Sequence, residues 1–206
     1  MYSLYFLPDA CSLATQVVLR ELNQEVKLIN RQNIADFHSI NPAGVVPVLM
    51  DGTDKHTEGA AILLFLLNRH PNRLFPSSPQ AQQDAIENIM FANATMHPAY
   101  GRLFFAAANS VDSEQRQILF AESAALINQL WQVVAQKLAD QPYLGGLHPS
   151  AADILLTVYS RWGDSFPVEI DIPENCRSMI NRVLSLPSFV ESLKAEAALV
   201  TGEKAI

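Results

Sequence analysis

The chain reads as an α/β N-terminal region followed by an all-helical region, and three observations carry that reading. Short β-type runs alternate with helical periods through the first third of the sequence. A proline-rich stretch, Pro71-Asn72-Arg73-Leu74-Phe75-Pro76-Ser77-Ser78-Pro79, then interrupts the chain, and three prolines in nine residues leave no room for a sustained element. Beyond it no strand-like alternation recurs. The expected order is βαβ, a short helix, then ββα, with domains at 1–76 and 77–206. The 206 residues are 49% apolar and only 17% charged, against roughly 25% charged in an average soluble chain, so a packed core is expected and a disordered polyelectrolyte is excluded.

Each element has a local signal. Tyr2 to Phe6 is a compact aromatic and aliphatic run closed by Pro8, and from Cys11 the pattern turns helical, with Leu13, Val17 and Leu22 on one face. Val26 to Ile29 is the second strand, and the polar stretch after it, with Ile34, Phe37 and Ile40, holds one short helix. Val45 to Met50 is the next strand; Asp51-Gly52 signals a hairpin that returns antiparallel through Lys55 to Thr57. A helix follows from Glu58 to Asn68. In the second domain, Ala81 to Asn109, Ser113 to Asp140, Ala151 to Gly163 and Asn175 to Leu186 are helical patterns rich in Ala, Leu and Gln.

Charge and motif content narrow the function. The net charge is 14 − 21 = −7 with Lys and Arg spread thinly, so neither nucleic acid nor an anionic membrane is an expected partner. The first basic residue is Arg20 and no apolar run approaches the ~18 residues of a membrane span, so a soluble cytoplasmic protein is expected. Cys11 and Cys176 are too few for a disulfide framework and lack CxxC spacing; each is expected to be a free thiol. Without GxGxxG, a Walker loop, HExxH or GxSxG, nucleotide, metalloprotease and α/β-hydrolase chemistries have no support.

Five places carry the remaining chemistry. Cys11 falls where the first strand, after the turn Pro8-Asp9-Ala10, enters a helix; unpaired N–H groups there bias a thiol toward thiolate, whereas an inert buried cysteine is the alternative and the commoner fate of a free thiol. Beside it, Ser12 serves as an ordinary cap or as a donor to a bound sulfur. Pro47, in Asn41-Pro42-Ala43-Gly44-Val45-Val46-Pro47, interrupts an otherwise good strand; a cis Val46–Pro47 bond would turn the Val46 N–H and C=O outward for a peptide-like ligand, whereas a trans bond would make it an edge-strand proline. Glu58, ahead of Gly59, either complements a helix dipole or accepts a ligand ammonium group while nearby N–H groups hold a carboxylate. His97 precedes Pro98, in a context that predicts a helix kink; it is a catalyst only if that helix faces Cys11, and otherwise an ordinary surface or satisfied core histidine. By contrast Ser150-Ala151-Ala152-Asp153 fits a capping box and is assigned a structural role only.

Taken together, residues 5–22 (YFLPDACSLATQVVLREL), 41–49 (NPAGVVPVL), 57–66 (TEGAAILLFL) and 144–162 (LGGLHPSAADILLTVYSRW) resemble bacterial glutathione S-transferases, most of all the beta class. The resemblance spans essentially the whole chain. It implies a thioredoxin-like N-terminal domain, an all-helical C-terminal domain carrying an apolar cleft for a hydrophobic electrophile, and a cytoplasmic homodimer active in detoxification. Glutathione is implied as a co-substrate, with no permanently bound cofactor and no metal. Carried over by position, Cys11 is the beta-class cysteine near the glutathione sulfur, followed by Ser12; Pro47 is the cis-proline, with Val46 pairing its backbone to the cysteinyl part; Glu58 and Gly59 meet the γ-glutamyl part; His97 is the beta-class histidine. The implied reaction is addition of the glutathione thiolate to an electrophile, with Cys11-dependent thiol–disulfide exchange as a variant. A non-catalytic interaction or regulatory protein on the same fold is the alternative. Between Lys27 and Lys55 the only basic residues are Arg31 and His38, so the lysine that commonly meets the glycyl carboxylate has no counterpart there.

Overall fold

The computed structural model describes residues 1–109 and 112–201, and the chain divides into two compact units. One comprises Met1–Phe75 together with the described chain from Leu184 onward; the other is Pro76–Val183.

The first unit is built on a four-stranded sheet in the order β2-β1-β3-β4, from β1 (Tyr2–Phe6), β2 (Val26–Asn30), β3 (Val48–Asp51) and β4 (Asp54–Thr57). β1 and β2 run parallel, with Leu4 opposite Leu28, and α1 (Ser12–Glu21) makes the crossover. β3 lies antiparallel to β1, with Leu4 opposite Leu49, and to β4, with Asp51 opposite Asp54. The loop between β3 and β4 has two residues, and Gly52 takes its first position at φ +61°, a conformation open to glycine without strain. β1 alternates as a half-buried strand should: Tyr2, Leu4 and Phe6 are buried, Ser3 and Tyr5 only partly. Leu13 and Val17 of α1, which packs on β1, and Ile62, Leu63 and Leu66 of α2 (Gly59–Arg69), which packs on α1 and β4, are all fully buried.

Two boundaries depart from the sequence expectation. β3 begins at Val48 instead of Val45 because Pro47 has no N–H to give to a ladder. In place of one short helix after β2, two 3₁₀ turns form, Arg31–Asn33 and Phe37–Ser39, opened by the side chains of Asn30 and Asp36, which accept from the N–H groups of Gln32 and Ser39.

The second unit is helical. α3 (Pro79–Met90) passes through a π-helical segment, Phe91–Met96, into α4 (His97–Asn109); α5 (Ser113–Lys137), α6 (Ala151–Ser160) and α7 (Glu174–Leu184) follow. The irregularity expected at Pro98 lies in the turn before it. Pro98 offers no N–H to Ala94, and the helix accommodates this by widening. By length and composition α5 is long and apolar enough to cross a membrane, contrary to the sequence expectation that no run approaches a span. Its Phe120, Ala124, Ile127, Trp131 and Val134 are buried at helical spacing while Glu122, Gln129, Gln132 and Gln136 are exposed, the pattern of an amphipathic core helix. Trp131 donates its indole N–H to the Tyr100 hydroxyl at 3.0 Å, so the largest side chain of this core leaves no buried polar atom unsatisfied.

The final helix, α8 (Pro187–Thr201), was not expected from the sequence, and it packs against α1 in the first unit. Its start carries a signal all the same: proline is preferred at a helix's first position, where its missing N–H costs nothing.

Candidate functional site

The turn between β1 and α1 brings Cys11 to the end of the sheet. Asp9 within that turn takes a left-handed conformation, φ +57°, which aspartate tolerates better than most residues. The Ser12 hydroxyl closes the turn by accepting from the Leu7 N–H and donating to the Leu7 carbonyl, both at 3.3 Å. With both roles of the hydroxyl used inside the turn, Ser12 holds the loop that presents Cys11.

Cys11 is the N-cap of α1 and makes no capping hydrogen bond. Its thiol donates to the Val46 carbonyl at 3.4 Å. The Val46–Pro47 peptide is cis, and both residues precede the first paired residue of β3, Val48. The segment before them is tightly fixed. Asn41 donates through Nδ2 to the Val45 carbonyl at 2.7 Å and accepts from the Ala43 N–H at 3.2 Å; Gly44 adopts φ +69° where a Cβ would run into the His38 imidazole. The Val46 side chain is buried with Phe37 and Val48 in a small apolar cluster, so its backbone orientation is set by packing. The sequence reading passed over Asn41, although an Asn-Pro-x-Gly run carries the signature of a side-chain-braced turn.

The electrostatics of Cys11 reverse the expectation from its position. Burial pushes the thiol up to about 11; the N–H groups of Cys11 and Ser12, directed at the sulfur, pull it down less than that, and the Glu58 carboxylate pushes it further up. Cys11 is therefore a neutral thiol at pH 7, because desolvation outweighs the helix start.

Glu58 lies near enough to act on Cys11 and is itself exposed. It is the N-cap of α2 at φ +67°, a left-handed conformation costing a glutamate about 1–3 kcal/mol, and its carboxylate forms no cap bond. Gly59 begins the helix behind it. Cys11, Ser12, Val46, Pro47, Glu58 and Gly59 thus gather at one end of the sheet in the first unit. His97 belongs to the second unit. It starts α4 with its ring 5.1 Å from Tyr159 and 5.2 Å from Trp162, edge to face, and burial lowers its pKa, which keeps the imidazole neutral.

The basic residues near the loop after β2 make contacts of their own, although the buried Nε of Arg31 has no hydrogen-bond partner among the described residues. Arg31 stacks on Phe37 with 5.2 Å to the ring centroid, His38 Nδ1 is 3.1 Å from the Pro42 carbonyl, and Lys55 donates to the Ile40 carbonyl at 2.6 Å.

A β2-β1-β3-β4 sheet with a cis-proline before its third strand and a cysteine opening its first helix is a thioredoxin-like domain, and with the helical unit it defines the glutathione S-transferase fold. The glutathione S-transferase N-terminal domain model matches residues 13–74. Glutathione S-transferase GstA of Escherichia coli O157:H7 is 27% identical over 204 residues, covering 94% of this chain and 98% of its own. A glutathione S-transferase structure from Xylella fastidiosa aligns with a TM-score of 0.87 at 26% identity over 96% of this chain and 99% of that one. The beta-class enzyme of Sphingomonas chungbukensis aligns with a TM-score of 0.81, also at 26% identity, over 94% and 98%. In sequence and in fold the chain is thus similar to bacterial glutathione S-transferases, with beta-class structures among its neighbours.

Proposed function

We propose that the protein is a glutathione transferase that binds reduced glutathione along the Val46–Pro47 edge and directs its thiolate at a hydrophobic electrophile. One observation carries this reading: the Cys11 thiol lies 3.4 Å from the Val46 carbonyl, beside two helix starts that have no side-chain cap. In this reading the Val46 backbone pairs with the cysteinyl part of glutathione as an added strand. Glu58 takes the γ-glutamyl ammonium, the Gly59 end of α2 takes its carboxylate, and Ser12 holds the turn. His97 has the beta-class histidine's role, an imidazole kept neutral by burial and able to accept a proton. A cytoplasmic homodimer belongs to the same proposal.

The neutral Cys11 suits a donor role. Turned away from the Val46 carbonyl, its S–H hydrogen-bonds to the glutathione sulfur and stabilises the thiolate over the thiol, lowering the glutathione pKa from the ordinary thiol value of about 8.5. The thiolate then attacks the electrophile; a carbon–sulfur bond forms as the leaving group departs or the substrate bond opens. Exchange at Cys11 requires its own thiolate, and a group with pKa about 11 is ionised on the order of one part in 10⁴ at pH 7. Conjugation is therefore the favoured chemistry.

Calorimetric titration with reduced glutathione tests the reading. Saturable binding in the micromolar-to-millimolar range, weakened about tenfold by Glu58→Ala, supports it. No detectable heat at millimolar glutathione would sink it and leave the fold to an interaction role. Cys11→Ala separates the two chemistries: thiol–disulfide exchange disappears, while conjugation of an activated aryl halide persists at about a tenth of its rate.

A further inference from the structure

The last helix is tied to α1 and its preceding turn by a line of polar contacts. Ser188 Oγ donates to the Glu21 carboxylate, Arg20 Nε donates to Ser192 Oγ at 3.1 Å, and Gln16 Nε2 donates to Glu196 Oε1 at 2.6 Å. Residues 188, 192 and 196 recur every fourth position and so form one stripe of α8. The second oxygen of Glu196 leaves α1 altogether: Oε2 accepts from the Asp9 N–H at 3.0 Å. Glu196 is 4% exposed and Gln16 fully buried.

A carboxylate removed from water is costly unless donors are aimed at it, and a helix seam needs none for stability alone. Here the two oxygens address two different objects, the helix that begins at Cys11 and the turn that delivers it. Asp9 is the left-handed residue of that turn, and such a conformation persists where its surroundings over-determine it. We propose that Glu196 is a positioning residue for Cys11: from the far end of the chain it fixes the Asp9 turn relative to α1 and thereby sets the depth at which the thiol sits. The inference rests on Cys11 being the thiol of the site proposed above.

The test reads Cys11 itself in the full-length protein, by its iodoacetamide alkylation rate across pH, followed residue by residue by mass spectrometry. Glu196→Ala frees the turn and admits water to the thiol, so alkylation at pH 8 is expected to rise at least fivefold and the profile to move to lower pH. Glu196→Gln is expected to stay within twofold of the parent, since its Oε1 serves the Asp9 N–H and a turned Gln16 amide accepts from its Nε2. Ser192→Ala removes a neighbouring contact of the same seam without touching the turn, and is also expected within twofold. A Glu196→Ala profile that superimposes on the parent overturns the inference; so does a Glu196→Gln that fails to rescue, or a Ser192→Ala that moves the profile as far. Should Glu196→Ala not fold, amide hydrogen exchange of the parent decides: an Asp9 N–H protected about 100-fold relative to an open loop supports the inference, and one exchanging at the open-loop rate overturns it. None of these readings involves glutathione, so a parent that binds none removes the transferase reading and leaves this one testable.

Discussion

The helix starts of the two units are finished differently. In the helical unit Ser78 accepts from the Ala81 N–H at the head of α3, and Asp112 accepts from the Glu114 N–H at the head of α5. At the head of α6, Ser150 and Asp153 complete a reciprocal box in which Asp153 also accepts from the Leu144 N–H at 2.9 Å. In the N-terminal unit α1 and α2 begin at Cys11 and Glu58, and neither side chain caps. Each missing cap forgoes about 1 kcal/mol. The starts of α3, α5 and α6 are closed by their own side chains, whereas those of α1 and α2 are not, and in the proposed function these open ends face a thiol and a ligand.

Mutations that move a cap across this divide should separate stability from binding. The largest effect is expected at Asp153. Replacing it with alanine strips the part-buried N–H of Leu144 and the buried N–H of Ser150 of their acceptor, at a cost of about 3 kcal/mol, or a fall in Tm of roughly 6–12 °C by calorimetry. Ser78→Ala at an exposed cap should lower Tm by only about 2–4 °C. Glu58→Gly should run the other way. Glycine relieves the left-handed backbone and raises stability by about 1 kcal/mol, while glutathione affinity falls about tenfold; a variant that binds as tightly as the parent would remove Glu58 from the proposed site.

The pH dependences sharpen the same contrast and are the smallest effects. Burial raises the Cys11 thiol above its unfolded value, so its share of stability is intact below the unfolded pKa and is lost as pH climbs toward about 11. Its alkylation rate should accordingly keep rising well past pH 9. Burial lowers His97, which reverses the sign: its share is intact above the unfolded histidine pKa and is lost as pH falls through the lower folded value. Denaturation midpoints of His97→Phe should be flatter than those of the parent on the acid side alone, and those of Cys11→Ala flatter on the alkaline side alone.

The parts of this molecule written in local pattern were legible in its sequence. Tyr2–Phe6, the helix after Cys11, the Asp51-Gly52 hairpin and the Ser150–Asp153 box each depend on residues within a few positions of one another. What escaped depends on distant partners. The thiol of Cys11 follows from its burial and from Glu58, 47 positions away, and a helix-start argument sees neither. α8 holds together through contacts with α1 some 170 residues earlier, which no window over its own sequence contains. Glu196 carries no local signal, and its oxygens meet Asp9 and Gln16, 187 and 180 positions away.

That the first unit includes the last helix gives the chain an order of birth. The sheet, α1 and the Cys11 turn leave the ribosome before the helical unit, yet the segment that braces them begins only at Leu184, after the whole of Pro76–Val183. At the usual ~5–20 residues per second the interval is on the order of 5–20 s. Throughout it, Gln16, Arg20 and the Asp9 amide lack the partners that α8 brings. The sheet is thus made before the helical unit and completed after it, and the buried Cys11 thiol takes its final setting only once α8 has followed.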